Sequence, residues 1–93
     1  MREKQIEQKL VQAVRKSGGM CLKFVSQNFD GMPDRVILFP GGKIAFAELK
    51  APGKKPRPLQ IARHKALMGL GFRVYVIDSV EPIGGILDEI QSS

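Results

Sequence analysis

Residues 34–50 read Asp-Arg-Val-Ile-Leu-Phe-Pro-Gly-Gly-Lys-Ile-Ala-Phe-Ala-Glu-Leu-Lys, and this stretch decides the fold. Two runs rich in strand formers, Asp34–Phe39 and Lys43–Lys50, flank Pro40, Gly41 and Gly42. A three-residue loop ending in glycine predicts a β-hairpin closed by a type I turn and a bulge. Strand alternation places Ile44, Phe46, Glu48 and Lys50 on one face and Ala45, Ala47 and Leu49 on the other. Phe39 then faces Lys43, and counting back sets Asp34 opposite Glu48. Two carboxylates facing each other across a hairpin repel. Good strand patterning combined with bad charge pairing marks the place to look for a site.

Working outward, Ile6, Leu10, Ala13 and Val14 give Glu3–Lys16 one apolar helical face, and Ser17, Gly18 and Gly19 stop it. Met20–Val25 reads as a strand and Ser26–Gly31 as a polar turn. Beyond the hairpin, Ala51–Pro58 carries Pro52, Pro56 and Pro58 and is an extended basic loop. A second helix is expected over Leu59–Leu70, with Pro58 at its first position and Leu59, Ala62, Ala66 and Leu70 as its apolar stripe. Phe72–Ile77 is the strongest strand pattern, and Ile83–Ile90 suits a short closing helix. The expected fold class is α/β, one mixed sheet flanked by helices, in a single domain over residues 1–93.

Composition narrows the function. The single Cys21 excludes an intramolecular disulfide and suits a reducing cytosol, and one cysteine with one histidine cannot build a Cys/His zinc site within one chain. No apolar run approaches the ~18 residues of a membrane span, so no membrane partner is expected. The net charge is +6, and it is concentrated: Leu49–Ile77 holds Lys50, Lys54, Lys55, Arg57, Arg63, Lys65 and Arg73 and no acid. A clustered positive field fits a polyanion, nucleic acid before membrane, against the plainer reading of a solvated surface.

A divalent cation would relieve the Asp34–Glu48 conflict, since Mg²⁺ takes a few carboxylate oxygens together with water and phosphate. Lys50, two residues beyond Glu48 on the same face, could hold a water or neutralise a phosphate. The plain alternative is a surface strand in which Glu48 pairs with a lysine and Asp34 caps a turn. Glu7 falls inside or at the edge of the first helix's apolar face and needs a partner there: a metal, a water, or a base such as Lys23. Gln60 and His64 are i, i+4 neighbours expected on the exposed side of the second helix, away from its apolar stripe. There Gln60 could bond water, substrate or Lys50, while His64 would touch phosphate or nothing. Cys21 reads as core.

Gly31-Met32-Pro33-Asp34-Arg35, then Phe46-Ala47-Glu48-Leu49-Lys50, then Gln60, resemble the motifs of the PD-(D/E)xK nuclease superfamily. More narrowly, the chain resembles the stand-alone form of the VRR-NUC (virus-type replication-repair nuclease) family, whose αβββαβ restriction-endonuclease-like core matches the element order above. The resemblance implies a catalytic set of Asp34, Glu48, Lys50, Glu7 and Gln60. Asp34, Glu48 and the carbonyl of Leu49 would ligate Mg²⁺ or Mn²⁺, with Glu7 adding a ligand, directly or through water. Lys50 would position or activate the attacking water in the hydrolysis of a DNA phosphodiester, leaving a 5′ phosphate and a 3′ hydroxyl.

Lys54, Lys55 and Arg57, with Arg63, Lys65 and Arg35, are the candidate DNA contacts, positioned to grip backbone rather than to read bases. Few aromatics accompany them, which favours duplex over single-strand binding. The resemblance further implies a homodimer acting in repair or recombination on branched DNA such as a four-way (Holliday) junction, in the cytoplasm of a bacterial or phage-infected cell. The rival expectations are a non-catalytic DNA-binding module on the same fold, or a nuclease acting on flaps or RNA.

Overall fold

The computed structural model describes residues 1–93. Helix α1 spans Glu3–Lys16, strand β1 Met20–Lys23, β2 Arg35–Phe39, β3 Lys43–Leu49, helix α2 Pro58–Gly69, β4 Arg73–Ile77 and α3 Ile83–Gln91. The strands form one sheet in the order β1-β2-β3-β4, with the first two pairings antiparallel and β3–β4 parallel. This is the expected αβββαβ order with a closing helix and a mixed sheet. In the hairpin Phe39 pairs with Lys43 and Arg35 with Ala47, so the same register continued one residue sets Asp34 across from Glu48.

The sheet has two different faces. On one, Ile6, Leu10 and Val14 of α1 and Ile83, Leu87 and Ile90 of α3 pack onto Cys21, Ile37, Phe39, Ala45, Ala47, Leu49 and Ile77. Each of the larger of these side chains contributes about 1.5–3 kcal/mol on burial, so this layer carries most of the stability of a small chain. Burial pushes the Cys21 thiol pKa up, as befits a core cysteine. On the other face Phe46 lies edge-on to Phe24 and Phe72, with centroids 5.4 and 5.6 Å away, and α2 packs beside β4.

Helix α2 corrects one expectation. Leu59 and Leu70 of the expected apolar stripe are 43% and 75% exposed, whereas Gln60, His64 and Leu67 are the buried positions. The helix is therefore rotated so that its polar i, i+4 pair faces the sheet. The cause lies beneath it, in Glu48: a carboxylate taken out of water is costlier to leave without partners than a leucine is to leave exposed.

The element ends move by a residue or two. β1 stops at Lys23, yet the Phe24 N–H still donates to the Asp34 carbonyl at 2.9 Å. β3 ends at Leu49, and the Lys50 N–H continues its ladder by donating to the Ile77 carbonyl at 3.0 Å. Gly31 closes the turn before β2 with φ +90°, where an added Cβ would lie 2.9 Å from the Leu59 side chain of α2. No helix is long and apolar enough to cross a membrane.

Candidate active site

Glu48 is the centre of the site. It lies on the β3 face that α2 covers and is 1% exposed. Its Oε2 accepts a 2.9 Å hydrogen bond from Gln60 Nε2, and Lys50 Nζ sits 3.4 Å from the same oxygen. Its Oε1 has no hydrogen-bond partner; His64 Nε2, likewise unpartnered, stands 3.6 Å from it, beyond hydrogen-bonding range. Burial, reinforced by the Asp34 charge and opposed by Lys50, pushes the Glu48 carboxyl up to about 7. Burial and then the Lys50 charge hold the His64 imidazole below its ordinary value.

Asp34 is pinned from the neighbouring strand. Pro33 before it is fully buried, and the Asp34 Oδ2 accepts the Leu49 N–H at 2.8 Å. The carboxylate thus takes the place of a ladder acceptor where the β2–β3 pairing ends, which carries it to the Glu48 side. Gln60 does two things at once. Its Oε1 accepts the Arg57 N–H at 2.8 Å in the first turn of α2, while its Nε2 holds Glu48. Pro58 at the first helical position and an extended Arg57 (φ −72°, ψ 159°) aim that turn at the strand.

The structure thus brings Asp34, Glu48, Lys50 and Gln60 together and adds His64, which the sequence pattern had placed on an exposed surface. Its signal was present: Gln60, His64 and Leu67 recur at i, i+4, i+7, a helical face that competes with the apolar stripe. Glu7 is engaged otherwise, its Oε2 accepting from Arg35 Nε at 2.8 Å. The base beside Glu7 is Arg35, not Lys23. Arg35 also donates to the Cys21 carbonyl at 3.2 Å, so its guanidinium is held on the α1 side of the sheet. Glu7 nevertheless shares a cleft of about 250 Å³ with Asp34, Glu3 and Lys23.

Among the other expected phosphate contacts, Arg63 lies 3.8 Å over the Phe29 ring and donates to the Asp30 carbonyl at 2.8 Å, which ties α2 to the loop before Asp34. Lys54, Lys55, Arg57 and Lys65 are exposed. The first of these follows a tight turn in which the Lys54 N–H donates to the Ala51 carbonyl at 3.0 Å, with Gly53 at φ +80°.

The donor set suits one kind of cation. No three His, Cys, Asp or Glu side chains gather into a complete cage. Two carboxylates on paired strands, one with an unsatisfied buried oxygen, suit a hard ion that keeps part of its water shell, as Mg²⁺ and Mn²⁺ do.

Comparison with known proteins places the chain by sequence and by fold. The family model for the VRR-NUC domain matches residues 1–81. A protein of Acyrthosiphon pisum secondary endosymbiont phage 1, named "Putative nuclease p44", is 52% identical over 79 residues, covering 85% of each chain. A solved VRR_NUC domain superposes with a TM-score of 0.86 at 25% identity, covering 92% of this chain and 94% of its own. The family match takes in the whole αβββαβ core and every residue around Glu48, and the chain belongs to the VRR-NUC family of nucleases.

Proposed function

We propose that the protein is a divalent-metal-dependent endonuclease that hydrolyses DNA phosphodiesters. The observation that carries the reading is the state of Glu48: fully buried, held at one oxygen by Gln60 and Lys50, and unsatisfied at the other. A purely structural position would not keep such a group, because an uncompensated buried carboxylate is destabilising.

Asp34, Glu48 and the Leu49 carbonyl are the groups that would hold Mg²⁺ or Mn²⁺, which supplies Lewis-acid polarisation of the phosphoryl oxygen. The chain's own residues do the rest. Gln60 fixes the Glu48 carboxylate in one orientation. Lys50 places an ammonium beside it, where three N–H donors can hold a water for attack and offset negative charge developing on the phosphate. Exposed Lys54, Lys55, Arg57 and Lys65 grip flanking phosphates. Arg35 and Arg63 are further candidate phosphate contacts, each also tied to a protein partner, Glu7 and the Asp30 carbonyl.

Branched DNA as the substrate and a homodimer as the active form extend this reading. Support for self-association comes from the edge of the α2-bearing face at β1, where Met20 and Leu22 are 56% and 41% exposed. A two-fold pair of sites would match a four-way junction. The test is cleavage of duplex, flapped, single-stranded and four-way-junction DNA, and of RNA, in Mg²⁺, Mn²⁺ and Ca²⁺, with mass in solution measured alongside. Metal-dependent cutting of DNA, strongest on the junction by a dimer, supports the reading. Salt-sensitive binding with no cutting in any metal would instead make the protein a binding module.

A further inference from the structure

We propose that the concave surface between α1 and the β1–β2 edge is a second nucleic-acid track, a groove that carries the phosphate backbone and is lined by none of the residues of the Lys54–Arg57 loop. The inference rests on the nuclease reading and extends it to residues whose charges are lost in the sequence average: outside Leu49–Ile77, acids outnumber bases by one.

The groove has a volume of about 500 Å³ and is lined by Lys4, Gln8, Gln12 and Arg15 along α1 and by Lys23 and Arg35 from the strands. The helical positions recur every three or four residues and form one continuous face. From Lys4 to Arg15 that face runs about 16 Å at ~1.5 Å per residue, long enough to follow a few phosphates, which each strand of a duplex presents every ~3.4 Å of helix axis. Lys4, Arg15 and Lys23 are exposed and make no ion pair with any acid of the chain. The acid of the groove, Glu7, is neutralised by Arg35 at 2.8 Å. The two glutamines between the bases add donors without adding charge.

Continuity with the site selects the ligand. Glu7 and Lys23 line both this groove and the adjoining cleft that contains Asp34. A polyanion lying along Lys4, Arg15 and Lys23 therefore leads toward Asp34. Glu3 and Glu7 face that junction and keep it from being uniformly basic. The groove's lining includes one apolar side chain, Val11, which is too little for membrane insertion but sufficient for backbone contact. Binding here would be sequence-independent, as expected of contacts made to phosphates.

The test is the combined variant Lys4→Ala, Arg15→Ala, Lys23→Ala, compared with Lys9→Ala, Lys16→Ala, which removes charge from the part of α1 that faces Val80 and Ile83. Affinity for a four-way junction and for plain duplex is measured in Ca²⁺ across a salt series, with thermal unfolding as the check on folding. The groove variant should bind about tenfold or more weakly, with the log–log salt slope reduced by about two to three, while the control changes by less than about threefold. Equal losses in the two variants, or none in either, would overturn the groove while leaving the nuclease reading standing. A wild-type protein that neither binds nor cuts nucleic acid would overturn both.

Discussion

Gln60 donates to Glu48 across 2.9 Å and accepts from the Arg57 N–H across 2.8 Å, so one side chain starts helix α2 and orients the central carboxylate. Glu48 is thereby tied to the register of α2 on the sheet. Removing the tie should affect folding and chemistry together. Gln60→Ala should lower stability by about 1–2 kcal/mol through the lost helix-start contact and the unmet need of Glu48. It should also reduce metal affinity or cleavage about 10–100-fold, as loss of an outer-shell partner does. Denaturant unfolding and metal titration of the variant measure the two effects separately, and a wild-type result in both would remove Gln60 from the site.

The raised Glu48 pKa sets a pH dependence. Cleavage that needs its charged form should rise as pH increases through about 7 and level off above, with competition from bound metal moving the midpoint down. In the metal-free protein the stability effect has the opposite sense. Between the ordinary carboxylate value and about 7 the folded state holds a proton that the unfolded state has lost, so this group's contribution falls as pH rises. Glu48→Gln, which imitates the protonated form, should gain stability relative to wild type across that window. His64 works the other way, since its lowered pKa makes stability rise with pH below its ordinary value. The difference between Glu48→Gln and wild type isolates Glu48, and thermal unfolding from about pH 4 to about pH 8 in chelator measures it. A flat difference would contradict the assignment.

Metal should stabilise the same centre. Mg²⁺ or Mn²⁺ at about 100 times its dissociation constant should add about 2.7 kcal/mol to unfolding above neutral pH. Asp34→Asn and Glu48→Gln should each abolish most of that gain. Chelator should reverse it in the wild type, and thermal shifts with and without metal report all three proteins.

Gly31 offers a test of how the Asp34 turn is held. At φ +90°, and with the Leu59 side chain 2.9 Å from where a Cβ would stand, Gly31→Ala meets both backbone strain and a collision with α2. It should cost about 1–3 kcal/mol and loosen Asp34. Gly53→Ala, with positive φ but open space around it, should cost only the strain. The unfolding midpoints of the two variants give the comparison.

Much of this architecture was legible in residues 34–50, because strand alternation and a three-residue turn leave one register, and that register delivers Asp34 to Glu48. Lys50 followed from the same alternation, whereas Gln60 was legible only through its resemblance to the family motif, since its spacing alone put it on the exposed side of α2. The orientation of α2 was not. Its apolar residues suggested one buried face, but the demand of a buried carboxylate on another element overrode that preference, burying His64 and exposing Leu70. The partner of Glu7 was equally hidden, since Arg35 reaches it across 28 residues of sequence. The basic groove along α1 was invisible because its cations come from a helix and two strands and are diluted by acids elsewhere.

The most direct measurement is cleavage by Lys50→Ala. Lys50 is a partly exposed side chain whose backbone N–H keeps its bond to Ile77, so its truncation leaves that strand pairing in place, and thermal unfolding of the variant checks that it is folded. With DNA in Mg²⁺ or Mn²⁺, the expected result is a loss of about a hundredfold or more in cleavage rate, while binding in Ca²⁺ persists. A folded Lys50→Ala protein that cuts DNA at the wild-type rate would contradict the assignment of the site.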